Sequence, residues 1–129
     1  MKNLNVELGG KWSNVRTPVV GEIWWVDLDP TVGHEQAGHR PVVVMSVQRF
    51  NRVTERFFAV PVTTSIAPPG SGRAAFQVPI SGCEKPSAAL PDQMTTLDWV
   101  ARKAKFSGWT ATAQEMDEIW LRLKAIMGR

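Results

Sequence analysis

Arg40, Thr63, Thr64 and Glu35 are the side chains of this 129-residue chain whose types could manage a phosphate without a metal. A guanidinium keeps its proton in proteins and holds a phosphate bidentately, and a threonine hydroxyl can donate to a phosphoryl oxygen. The set could therefore stabilise a phosphorane-like transition state. An Arg–Glu surface pair with threonines at a strand end accounts for the same residues, and types and spacing alone leave both readings open.

Other constellations are weaker. His34 and His39 could serve as base and acid of a two-histidine nuclease, but both lie in one glycine-containing loop and nothing local holds them on opposite sides of a scissile bond. Asp27 and Asp29 share a strand face and could form half of a magnesium site, yet no third carboxylate joins them, and turn stabilisation before Pro30 explains Asp29 better. Cys83 sits in a turn-like Ser-Gly-Cys-Glu context with no neighbouring histidine. No glycine-rich loop leads into Lys-Ser/Thr, so nucleoside triphosphate chemistry has no anchor. The six tryptophans could stack on bases, but Trp24, Trp99 and Trp120 fall where strand or helix patterns bury them, and core packing is the default for each.

The elements that must position these residues follow from periodicity. Residues 1–20 show neither helical nor strand period and contain Gly9-Gly10, which predicts a loosely ordered N-terminal extension before a domain at 21–129. Residues 21–28 have strand composition, with Trp24, Val26 and Leu28 on one face. Residues 30–40 carry Gly33 and Gly38 and predict a mobile loop of the kind that carries function. The apolar run 41–45 predicts a central strand buried on both faces. A basic connection with Arg49 and Arg52 follows, then strands at 56–63, 74–80, 88–95 and 104–109. Pro61, Pro79 and Pro91 place edges or bulges in three of these strands, which favours a small barrel. Thr112 and Glu115 make a T-x-x-E capping box ahead of Met116, Ile119, Trp120, Leu123, Ile126 and Met127 at helical spacing. The fold class is mainly β with a C-terminal α-helix.

Composition narrows the function. A chain of this length buries roughly two-thirds of its unfolded surface, enough for one packed core. One cysteine excludes a disulfide scaffold, and with two histidines it does not complete a structural zinc site, so neither a metal nor a cofactor is expected. Residues 1–20 lack the apolar core of a signal peptide, and no run approaches the ~20 apolar residues of a membrane span. A soluble, cytoplasmic protein without membrane partners is expected. The net charge of +3 is unevenly divided. Residues 1–39 hold three basic against five acidic side chains, a balance of −2, and the rest of the chain carries +5. Arg40, Arg49, Arg52 and Arg56, opposed only by Glu55, would suit a polyanion, but on charge alone a solvated loop ranks first, because arginines in a polar connection are commonplace.

The segments GEIWWVDLDP (21–30) and GHEQAGHRPVVV (33–44) together resemble the opening of the MazF/PemK family of toxin endoribonucleases. VPVTT (60–64) resembles the family's second catalytic segment and ALPDQ (89–93) its later strand motif, so the likeness runs from Gly21 to Gly128. It implies a small SH3-like or CcdB-like barrel, a homodimer, and ribosome-independent cleavage of single-stranded RNA at short motifs. The implied chemistry is metal-free attack by the ribose 2′-hydroxyl on the adjacent phosphate, leaving 2′,3′-cyclic phosphate and 5′-hydroxyl ends. It also implies inhibition by a cognate antitoxin whose disordered acidic tail occupies the RNA groove.

Carried over to this chain, Arg40 matches the catalytic arginine of G-x-R-P and Thr63 the first threonine of the strand-end pair. Glu35 matches the loop glutamate that positions Arg40 or the 2′-hydroxyl. Gln36, His39, Thr64 and Gln93 become RNA-binding candidates, with Arg49 and Arg52 from the basic stretch. Gly33 and Gly38 would be pivots of a loop that closes over RNA. Two alternatives stand beside this reading: a non-catalytic toxin on the same barrel, resembling the CcdB gyrase poisons, and a nucleic-acid-binding module that does not turn over.

Overall fold

The computed structural model describes residues 16–27 and 39–129. Along the chain run β1 (Glu22–Asp27), β2 (His39–Val44), α1 (Gln48–Thr54), β3 (Arg56–Thr63), β4 (Val78–Ile80), β5 (Ser87–Ala89), β6 (Thr95–Asp98), β7 (Lys105–Thr110) and α2 (Ala113–Ile126). The strands order as β4-β5-β3-β2-β1-β7, with β6 also paired to β3, and every pairing is antiparallel. The result is an open, mostly β half-barrel with a C-terminal helix, the expected fold class.

β2 is central because its apolar run has no polar face: Val42, Val43 and Val44 are all buried, alternating between two cores. One core takes Ile23, Val43, Val60 and Val62 and receives Ile119 and Leu123 from α2. The other takes Trp24, Val26, Val42, Val44, Phe57, Leu97 and Trp99. At about 1.5–3 kcal/mol for each fully buried aliphatic side chain, this valine-rich centre is a large part of what drives the sheet together. Leu28, the third expected member of the Trp24 face, lies outside the described residues.

Pro61 is neither at an edge nor in a bulge of its pairing with β2, where it faces Val42. It is tolerated because its far side meets the break between β6, which pairs up to Ala59, and β5, which pairs from Val62. Its carbonyl accepts from Leu90 N–H at 2.8 Å across that break, so the missing donor costs no ladder bond. Pro79 sits in β4 at the end of the strand order, and Pro91 opens a 3-10 turn.

Several expectations are corrected. The strand expected at 74–80 is only β4, because Arg73–Phe76 is a 3-10 turn. The strand expected at 88–95 is split into β5 and β6 by the turn Pro91–Gln93. The basic connection contains α1, a seven-residue helix around buried Asn51. The Asn51 amide donates to Pro18 O at 2.9 Å and Ser46 O at 3.0 Å and accepts from Ser46 Oγ at 2.6 Å, while its own carbonyl accepts from Trp99 Nε1 at 2.9 Å. Trp120 is 46% exposed instead of buried, because α2 rests on the sheet through Ile119 and Leu123. The capping box at Thr112 and Glu115 forms as expected. Of the extension expected at 1–20, residues 1–15 lie outside the described residues, and Thr17 and Pro18 are buried.

Candidate active site

The β2–β3 register brings two of the sequence candidates together. Val44, Val43 and Val42 face Ala59, Val60 and Pro61, and the same register continued two residues outward sets Arg40 against Thr63. Both line one open groove of about 640 Å³, together with His39 and Thr64. Arg40 is held on its other side by pairing with Val26 of β1. Thr63 Oγ1 accepts from Ser65 N–H at 3.0 Å, which leaves its own proton free to donate into the groove. His39 turns Nδ1 toward Asp27 Oδ1 at 3.4 Å.

One wall of the groove is aromatic. Trp25 and Trp109 both line it, their ring centroids 5.6 Å apart and their planes 57° to one another, and His39 makes a T-shaped contact with Trp25 at 6.4 Å. A bulge in β7 makes this possible. Trp24 pairs with Phe106 but Ile23 pairs with Trp109, so Ser107 and Gly108 are extra and advance Trp109 by one strand repeat, to the neighbourhood of Trp25. Gly108 sits at φ +90°, a region glycine enters without strain. Ser107 Oγ donates to Ile23 O and accepts from Trp109 N–H at 2.9 Å, pinning the bulge.

The β4–β5 connection also lines the groove, through Cys83, Glu84 and Lys85. Glu115 anchors it to α2: its carboxylate accepts from Ser81 N–H at 2.9 Å and Ser81 Oγ at 3.0 Å while also accepting from Thr112 N–H at 2.9 Å. Burial alone would raise the Glu115 pKa, but these bonds from Thr112 and Ser81 outweigh it and hold the carboxyl below its ordinary value. Burial pushes the Cys83 thiol up; a hydrogen bond with Ser87 opposes this and the Glu115 charge adds to it, which makes Cys83 a poor thiolate.

The remaining candidates lie elsewhere. Gln93 is exposed on the turn after Pro91, and Arg49 and Arg52 are on α1; none of the three lines this groove. Glu35 and Gln36, with Gly33, His34 and Gly38, lie outside the described residues. Trp25, Lys85 and Trp109 are groove residues that sequence reasoning did not single out. Period-two alternation puts Trp25 on the face opposite Trp24, which was the available signal for Trp25; nothing local marks Trp109. Among the described residues, no three His, Cys, Asp or Glu side chains cluster so as to hold a metal ion. No helix among them is long and apolar enough to cross a membrane.

A half-barrel of this topology with a terminal helix is a CcdB-like toxin fold. A family model described as the PemK-like, MazF-like toxin of type II toxin-antitoxin systems matches residues 20–127, and the chain belongs to that family. The endoribonuclease toxin MazF of Escherichia coli (strain K12) is 40% identical over 111 residues, covering 86% of this chain and 95% of that protein. The endoribonuclease PemK of Escherichia coli is 41% identical over 85 residues, covering 66% of this chain and 64% of that protein. Among solved structures, MazF of Deinococcus radiodurans superposes with a TM-score of 0.73 at 30% identity, covering 88% of this chain and 99% of that one. The MazE-MazF structure from the same organism gives 0.72 at 29% identity, covering 88% of this chain and 98% of that one.

Proposed function

We propose that this chain is a metal-independent, ribosome-independent endoribonuclease that cuts single-stranded RNA at short sequence motifs, the toxin half of a toxin–antitoxin pair. The observation that carries the reading is the convergence of Arg40 and Thr63, from neighbouring strands, on one open groove. Family membership and relatives named as endoribonucleases favour it over a gyrase poison or a plain binding module.

In this reading the ribose 2′-oxygen attacks the adjacent phosphorus and gives up its proton, and the bond from phosphorus to the 5′-oxygen breaks as that oxygen takes one up. The products are a 2′,3′-cyclic phosphate and a 5′-hydroxyl. Arg40 spreads its guanidinium donors over the equatorial oxygens where charge accumulates, and Thr63 donates to one of them. Because arginine keeps its proton, the electrostatic role of Arg40 outweighs any role in proton transfer. The family resemblance assigns Glu35 the positioning of Arg40 or of the 2′-hydroxyl, and gives Gln36, His39, Thr64, Gln93, Arg49 and Arg52 contacts to the RNA. It also makes residues 21–129 a cytoplasmic homodimer restrained by a cognate antitoxin, a partnership supported by the MazE-MazF structures of the relatives.

The test is purified protein with a long single-stranded RNA in EDTA, followed by sequencing of the cut ends. Discrete cuts leaving 5′-hydroxyl ends are expected. Arg40→Ala should slow cleavage by at least about 10²- to 10³-fold, the range for losing a preorganised donor to a developing oxyanion, with an unchanged circular dichroism spectrum. Wild-type turnover by a folded Arg40→Ala protein would sink the assignment.

A further inference from the structure

Two depressions meet at Trp25. The groove of Arg40 and Thr63 runs past Trp109, Trp25 and His39, and a second hollow of about 350 Å³ beyond them is lined by Trp25, His39 and Lys105. Trp25 and His39 belong to both, so the two hollows form one track. Among the described residues that line it, Arg40, Lys85 and Lys105 are basic and Glu84 is acidic, with the Asp27 carboxylate beside His39. That balance suits a polyanion, and the half-buried indoles offer flat apolar faces between the cations.

Trp25 belongs to neither buried core and Trp109 packs only against the edge of the first, and their packing is not that of the tryptophans inside. Trp24 and Trp99 are 2% and 4% exposed, and each indole N–H donates to a buried acceptor, Glu22 Oε1 at 3.0 Å and Asn51 O at 2.9 Å. Neither Trp25 nor Trp109 has a side-chain hydrogen bond to a described residue. The bulge at Ser107 and Gly108 is what brings Trp109 into the track: in an unbroken ladder it would lie opposite Gly21, away from Trp25. A local distortion of a strand that re-aims an aromatic ring toward the groove is a feature of a site more than of a core.

We infer that Trp25 and Trp109 form a stacking platform for one unpaired nucleobase of the bound RNA, next to the Arg40–Thr63 pair, with Lys105 and Lys85 meeting the flanking phosphates. The inference rests on the ribonuclease reading above and adds a binding subsite to it. With planes at 57° the rings make an open corner, so the base lies against one face and abuts the other instead of being sandwiched. Every base has a π-face, so the platform contributes affinity and register at that position with little choice among bases.

The experiment uses an all-2′-deoxy single-stranded oligonucleotide, which lacks the attacking hydroxyl and so reports binding alone. An abasic position is walked along it against the wild-type protein, and the series is repeated with Trp109→Ala and Trp109→Phe. Wild-type affinity is expected to fall about tenfold, or about 1.4 kcal/mol, when the abasic position reaches the platform. Trp109→Ala should bind the intact oligonucleotide about tenfold more weakly and be indifferent to that position, and Trp109→Phe should retain part of the difference. A wild-type profile that is flat at every position overturns the platform, whatever the variants do. So does a folded Trp109→Ala protein that binds like wild type. Failure of the ribonuclease reading is seen separately, in the cleavage assay with Arg40→Ala, which the deoxy oligonucleotide does not touch.

Discussion

Trp24 and Trp25 are neighbours in β1 with the same side chain and opposite employment. Trp24 points into a closed core, edge-on to Trp99 at 6.3 Å, with its N–H bonded to the buried Glu22 carboxylate. Glu22 is in turn paired with Arg16 and accepts from Val19 N–H at 3.0 Å. Trp25 points the other way, half-buried beside Trp109 and His39 on the wall of the groove. Tryptophan serves packing where its polar atom is satisfied and its ring is enclosed, and serves recognition where one face is left to solvent. One step along a strand switches between the two.

The contrast can be broken most forcefully on the buried side. Trp24→Ala should cost about 3–5 kcal/mol, read as a fall in the urea midpoint, with cleavage per folded molecule close to normal. A small loss would mean that the Trp24–Trp99 core collapses around the gap and is no more structural than the groove pair. Asn51→Ala is next, at about 1–3 kcal/mol, because it leaves Pro18 O, Ser46 O and Ser46 Oγ without their buried partner; the same urea titration checks it. The smallest effect belongs to the groove side. The Glu115 carboxyl is held below its ordinary value of 4.5, so its contribution to stability is full above that value and disappears as pH falls through the lower folded value. Urea midpoints measured from pH 6 down to about pH 3 should decline less steeply in Glu115→Gln than in wild type, and parallel declines would remove Glu115 as the anchor of the groove wall.

What was readable in the chain was what is local or periodic. The capping box at Thr112 and Glu115 spans three positions, and the all-apolar run of β2 states its own burial on both faces. Asn51 could not be read this way. Its partners Pro18 and Trp99 are remote in sequence, and the helix around it is one short stretch whose N-cap, Val47, supplies no side-chain hydrogen bond. Trp120 fits the helical period of α2 but lies beyond the strip that the sheet covers, and periodicity does not tell how wide that strip is. Arg40 and Thr63 were singled out by distinctive motifs, and the β2–β3 register sets them on one groove, whereas Trp109 depends on two extra residues in β7 that only the paired strand reveals.

That same distortion of β7 bears on how the molecule keeps company with copies of itself. β7 and β4 stand at the two ends of the strand order, with the four-residue β6 a further edge paired only to β3, and an open half-barrel leaves such ends as templates for a foreign strand. β4 has only three residues, one of them Pro79, and β7 is interrupted by Ser107 and Gly108 and carries the charge of Lys105. Neither end offers the long, flat row of unpaired amides on which sheets zip together into aggregates. The irregularity that aims an indole into the groove thus also makes β7 a poorer template for a foreign strand.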